Sequence, residues 1–225
     1  MTAARTTIAR LLLRLRASRS GVAMTEFALS LPLLLSAGLW GVETANMAVT
    51  HMRVSQLTIH VADNASRIGD TSTLQDRKIY ESDLNDLLLG ANIQGGKRLD
   101  FFTNGRITIS SLEVRDDPTN RQYIHWQRCK GKLVSAPAYG REGDSLAVGM
   151  GPAGQEISAN PGEAVIYVEA AYQYQPLVPI AFFSATTIRS TSAFIVRDDR
   201  DLTQIYQRDP SSPDTVSRCT INDGY

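Results

Sequence analysis

The chain of 225 residues is short of the residue types that carry most catalytic and metal chemistry. It has two cysteines and three histidines. Two cysteines exclude a disulfide-dense mini-protein and a multi-cysteine zinc module. His51 and His60 lie nine residues apart, a poor spacing for sharing a metal on a helix, and read as surface residues. His125 alternates with Tyr123 and Gln127 on a candidate strand and reads as facing solvent. Net charge is missing as well, with 23 Lys+Arg against 23 Asp+Glu. No global field exists to draw in nucleic acid. No internal repeat is visible. What is present is 43% hydrophobic and 20% charged residues, which excludes a wholly disordered chain. The length suits one ordinary domain, or one domain plus a separate helical element.

Short motifs that imitate enzymes fail on their surroundings. Gly143-Asp-Ser145-Leu146 spells the GDSL signature of a serine hydrolase family. Such a serine needs a downstream Asp-x-x-His for activation, and all three histidines lie upstream. Gly90-Ala-Asn-Ile-Gln-Gly-Gly-Lys97-Arg98 imitates a phosphate loop. Its spacing is off by one, and Arg98 stands where a hydroxyl would hold magnesium. Asp198, Asp199 and Asp201 alternate with Arg197 and Arg200, which reads as a solvated charged turn rather than a calcium site. No catalytic residue, metal ligand or cofactor is expected, and no nucleic-acid partner.

The zero net charge hides an asymmetry. Residues 1–21 hold Arg5, Arg10, Arg14, Arg16 and Arg19 and no acid, so residues 22–225 carry 18 bases against 23 acids. From Phe27 to Val42 there is no charge, and Glu26 and Glu43 flank the run. Its 16 residues span ~24 Å as helix. Adding Val22 to Thr25 gives about 20 residues, enough for a bilayer core of ~30 Å. Five upstream arginines would hold the amino end in the cytoplasm and send the rest outward. A cleaved secretory signal is the plain alternative, opposed by the long basic region and the absence of a clean Ala-x-Ala; Ala45-Asn46-Met47 comes nearest.

Glu26 is costly where it stands. An ionisable group at mid-helix costs ~2.5–3.5 kcal/mol on insertion scales, and less near the interface. A cut after Gly21 would give Val22 a free α-amine, with Glu26 one turn along the helix. The amine of its own or a neighbouring chain could then neutralise the carboxylate; otherwise Glu26 marks the headgroup boundary. Pro32 removes one helix hydrogen bond and is expected to kink the span, which membrane helices tolerate. Ala37, Gly41, Ala45 and Ala48 form a small-residue stripe of the kind that lets helices approach closely in lipid.

The run Arg19-Ser-Gly21-Val-Ala-Met-Thr-Glu26-Phe resembles the prepilin-peptidase signal of type IV pilins: a basic leader, a glycine, four residues, a glutamate, then a hydrophobic helix. The continuation Glu26-Phe-Ala-Leu-Ser-Leu-Pro-Leu-Leu-Leu resembles, more narrowly, TadE/TadF-like pseudopilins of the tight-adherence (Tad, or Flp) pilus system. Tyr172-Gln-Tyr-Gln-Pro-Leu is similar to a segment of TadE-like heads. The likeness is good over residues 19–68, weaker over 163–197, and absent over 70–160.

The resemblance implies cleavage between Gly21 and Val22 by a membrane prepilin peptidase, with Glu26 pairing with an amine in the assembly. It implies, as partners, the peptidase, other Tad pilins and pseudopilins, and the inner-membrane assembly platform. The implied location is the bacterial inner membrane, single-pass, with the head periplasmic or carried into the pilus. The implied role is initiating, priming or capping the filament. The competing reading is an uncleaved single-pass anchor bearing a periplasmic binding or scaffold domain.

Val54, Leu57, Val61, Ala65 and Ile68 follow 3–4 spacing, so one amphipathic face continues past the apolar run, and Gly69 is a stop. The expected organisation is a basic leader over 1–21, a transmembrane and extended amphipathic helix over 22–68, and a periplasmic head over 69–225. Within the head, Ser82 reads as the N-cap of a short helix stopped at Gly90. Asn104-Gly105 reads as a hairpin turn between strands over 99–103 and 106–115. Further strands are expected over 121–129, 163–175 and 186–196. Residues 137–162, with nine Gly or Pro, read as an irregular loop. The fold expected is α+β and type IV pilin-like: an antiparallel sheet packed against the emerging helix. Cys129 and Cys219, both on the expected outer side, are expected to form one bridge worth ~4 kcal/mol, fastening the tail to a strand.

Overall fold

The computed structural model describes residues 14, 16, 20–70, 76–178, 186–197 and 199–224. Most of the basic leader, and Asp198, lie outside the described residues. The chain divides into two compact units, Met1–Asn46 and Met47–Tyr225. Helix α1 runs Ser20–Ala65 and passes through Pro32 without a break. After it come α2 (Glu81–Leu99), the single turn α3 (Phe101–Asn104), and strands β1 (Gly105–Val114), β2 (Gln122–Lys130), β3 (Ser145–Leu146), β4 (Val165–Gln173) and β5 (Thr187–Ile195). The strands form one antiparallel sheet in the order β3-β2-β1-β4-β5. The architecture is α+β: a long apolar N-terminal helix and a five-stranded antiparallel sheet.

The core of the second unit follows from two periodicities. Alternation sends Ile107 and Ile109 of β1, and Ile166, Val168, Ala170 and Tyr172 of β4, to one face of the sheet. Helical spacing presents Val54, Leu57, Val61, Ala62 and Ala65 of α1 and Leu84, Leu88 and Ala91 of α2 to that same core. Ile68 packs against this core from beyond the helix end. Arg200 closes α1: its Nη2 donates to the carbonyls of Ala65 (3.2 Å) and Ile68 (2.8 Å), acceptors that a helix end leaves without partners. The other face holds a smaller apolar cluster of Leu112, Ile124, Met150, Val165 and Tyr167, with Tyr139 and Leu146 against it. Towards Gly105 that face turns polar.

Three local readings are corrected. Ser82 is not the N-cap. Tyr80 takes that place, because its N–H is held by the Asp83 carboxylate (3.2 Å) and Glu81 N–H by the Tyr206 carbonyl (3.0 Å). Gly90 does not stop the helix; α2 continues to Leu99, with Gly96 in a non-helical conformation near its end. No hairpin lies at Asn104-Gly105. Phe101 and Phe102 are buried on a helical turn, where Phe102 N–H donates to Asn92 Oδ1, and Gly105 then opens β1. A Cβ at Gly105 would come within 2.9 Å of the Phe101 and Ala171 carbonyls, so this junction needs a glycine.

Candidate functional site

The apolar helix is the part of the chain that its own fold leaves unsatisfied. Among the described residues it is the one helix long and apolar enough to cross a membrane. Ten large apolar side chains between Val22 and Val42 stand exposed, among them Met24 (72%), Leu29 (76%), Leu33 (73%) and Trp40 (68%). They point to every side of the helix, unlike the single stripe a soluble helix shows. Its hydroxyls turn inward on the backbone: Thr25 donates to the Val22 carbonyl (2.8 Å), Ser36 to Pro32 (2.7 Å) and Thr44 to Trp40 (2.9 Å). These hydroxyls thereby find their acceptors within the helix's own backbone.

Gly21, Val22, Glu26, Pro32, Ala37, Gly41, Ala45 and Ala48 all lie on α1 and all are exposed. Val22 and Glu26 are one helical turn apart. A side chain grafted at Gly21 or Gly41 would meet nothing within 4 Å, so no packing inside the chain requires these glycines. Glu43, which flanks the far end of the run, is buried.

Cys129 and Cys219 form a disulfide, with Cα atoms 4.7 Å apart. The bridge is one stitch among several. Cys129 N–H donates to the Ser217 carbonyl (2.8 Å), and Gly131 N–H to Asp223 (2.7 Å). Arg106, 2% exposed, donates to the carbonyls of Gly131 and Ile221 (3.0 Å each) and Cys219 (2.8 Å). Burial pulls its pKa below the ordinary arginine value, and Asp223 opposes that.

Sequence reasoning missed the buried polar groups. His125 is part-buried rather than fully solvent-facing, with its side chain 24% exposed. The register places Ser111 opposite Trp126 but Leu112 opposite Ile124, so His125 is the extra residue of a β-bulge. The bulge breaks the alternation that linked His125 to Gln127. His125 Nδ1 instead meets Glu113 Oε2 at 2.8 Å, and Gln127 bonds Ser110 (2.9 Å). The bond to Glu113 raises the His125 pKa, against burial, which lowers it. Arg128 and Glu81, 8% and 3% exposed, form an ion pair in which Arg128 Nε donates to Glu81 Oε2 at 3.0 Å. Glu169 accepts from Ala138 N–H (2.8 Å), and burial pushes its carboxyl above the usual range. Ser145 of the GDSL letters sits on β3, where Arg115 Nε donates to it (3.3 Å). Residues 90–98 belong to α2. Trp126 and Tyr174 are buried in the main core, while His51 and His60 are exposed.

No protein-family model matches this chain, and no curated protein or solved structure matches it significantly.

Proposed function

We infer that this chain is a minor pseudopilin of a Tad-type, type IV-like pilus. The observation that carries the reading is the exposed apolar helix with one carboxylate near its start. Each of the ten exposed apolar side chains would gain ~1–2 kcal/mol on leaving water, or on the order of 10–20 kcal/mol together. That outweighs the ~2.5–3.5 kcal/mol upper cost of carrying Glu26 into the membrane. A surface of this kind is not left bare in a soluble monomer. In this reading residues 1–21 are removed by a prepilin peptidase acting between Gly21 and Val22. The chain is the substrate of that cut rather than a catalyst.

The new Val22 amine and Glu26 would then neutralise one another, within one chain or between neighbours. Ala37, Gly41, Ala45 and Ala48 would face helices of other pilins or pseudopilins on the inner-membrane assembly platform. The α+β unit would sit in the periplasm or at the pilus tip, where it would start, prime or cap the filament. It is far larger than a repeating Flp pilin requires.

Amino-terminal sequencing of the protein from a peptidase-competent host tests this reading. A mature chain beginning at Val22 supports it. Intact Met1 overturns it and leaves an uncleaved membrane anchor. Glu26→Ala is expected to be processed normally and to lower pilus number; an unchanged number would remove the pairing role.

A further inference from the structure

The two edges of the sheet are finished differently. The β2 edge is closed by the chain's own backbone. Ile124 N–H donates to the Asp144 carbonyl (3.0 Å), Gly143 N–H to Ile124 (2.7 Å) and Cys129 N–H to Ser217 (2.8 Å), with β3 beside Gln122 and Tyr123. The opposite edge is β5, nine residues paired to β4 in unbroken register. Tyr174 N–H donates to the Thr186 carbonyl and Val196 N–H to Ala164. The even-numbered residues of β5 therefore bond β4. The N–H and C=O groups of Thr187, Arg189, Thr191, Ala193 and Ile195 point away from the sheet. Among the described residues no strand pairs with that side.

The devices that blunt a free edge are missing from β5. The strand holds no proline, no lysine and no bulge, and one charge, Arg189. We propose that β5 is a pairing edge whose occupant is β5 of a second copy of this chain. The two strands run antiparallel across a twofold axis at Thr191. That register uses all five outward positions. Thr191 meets its own equivalent, Arg189 meets Ala193 of the second copy, and Ile195, which is 54% exposed, is covered by Thr187 of the second copy. Registers centred on Arg189 or Ala193 would instead oppose Arg189 to itself or to Arg197, and like charges directly opposite are destabilising. The result is one sheet running through two copies, joined by backbone hydrogen bonds. The inference does not depend on the pilus reading.

Cysteine cross-linking of the full-length protein in detergent micelles tests it. Both native cysteines are bonded to each other, so an introduced cysteine is the only free thiol. Hydrogen-bonded antiparallel partners have Cα atoms ~5.5 Å apart, within the range a disulfide spans. Thr191→Cys is expected to give a disulfide-linked dimer under mild oxidation. Thr187→Cys alone is expected to give none, because it faces Ile195 of the second copy. The double variant Thr187→Cys/Ile195→Cys is expected to link again. Adding Thr191→Lys to that double variant sets two ammonium groups face to face and is expected to lower the linked fraction ~2–5-fold. Three results would overturn the proposal: no dimer from Thr191→Cys although its thiol is alkylated freely, equal linking from Thr187→Cys alone, or a link to a different protein.

Discussion

Two charge pairs, one buried and one part-buried, give the residue scale its sharpest consequences. Arg128 and Glu81 are both almost fully enclosed, and Glu81 is affordable only while Arg128 is present. Arg128→Ala strands the Glu81 carboxylate and is expected to cost about 3–5 kcal/mol. Replacing both at once by apolar residues of similar volume is expected to recover most of that loss, read from denaturant midpoints. The His125–Glu113 pair acts through pH. The folded-state pKa of His125 is raised above the unfolded value of ~6.5. Its stabilisation is therefore complete below that value and is lost as pH rises through the folded value. The wild type is expected to lose more stability than His125→Gln between about pH 6 and about pH 9. Parallel melting curves for the two proteins check this; equal slopes would contradict it. None of these pairs was legible in the sequence. Arg106, Arg128 and Glu113 stand in strands where charge normally marks the wet face, and what covers them comes from far away in the chain. Arg106 bonds carbonyls up to 115 residues off, and Glu81 lies 47 residues from Arg128.

At the scale of elements, the patterns that could be read were those with one dominant period. The apolar run became α1, and the alternating segments became β1, β2, β4 and β5 within a few residues of their expected ends. Errors came where local signals competed with burial. Phe101 and Phe102 carry strand propensity, yet both are buried as a helical turn. Gly90 looked like a helix stop, yet α2 runs through it, and a Cβ there meets nothing within 4 Å. Gly96 supplies the break instead, with φ 61° and ψ −179°, a region essentially restricted to glycine. The two glycines should respond oppositely to the same change. Gly90→Ala is expected to stabilise by about 0.4–1 kcal/mol. Gly96→Ala is expected to destabilise by about 1–3 kcal/mol. Chemical denaturation of the two single variants decides whether the signs differ.

For the whole molecule, the exposed helix was legible because nothing else in the chain has its length without charge. The disulfide was legible because two cysteines permit one intrachain pairing. The extent of the tail's docking was not. The tail was expected to be loose but tied back near Cys219, whereas Ser217, Cys219, Ile221 and Asp223 all bind the β1–β2 side of the sheet. The bridge closes a loop with a sequence separation of 90. Reduction, or Cys219→Ala, is expected to cost roughly 4–5 kcal/mol in the chain-entropy model, read as a lower denaturant midpoint in the presence of reductant. A loss well under 1 kcal/mol would mean that the backbone stitches and Arg106 hold the tail unaided.

The long span between the bridged thiols also sets a timetable for biogenesis. As the polypeptide is delivered, Cys129 emerges first and must wait for 90 further residues before its mate arrives. No rival thiol exists on the same chain, so shuffling among wrong intrachain isomers cannot occur. The hazard lies between molecules: where a thiol oxidant is present to take up two electrons, two nascent chains, each with a waiting sulfhydryl, can be joined to one another. Crowded synthesis should therefore favour covalent pairs through Cys129, and slower delivery should relieve them.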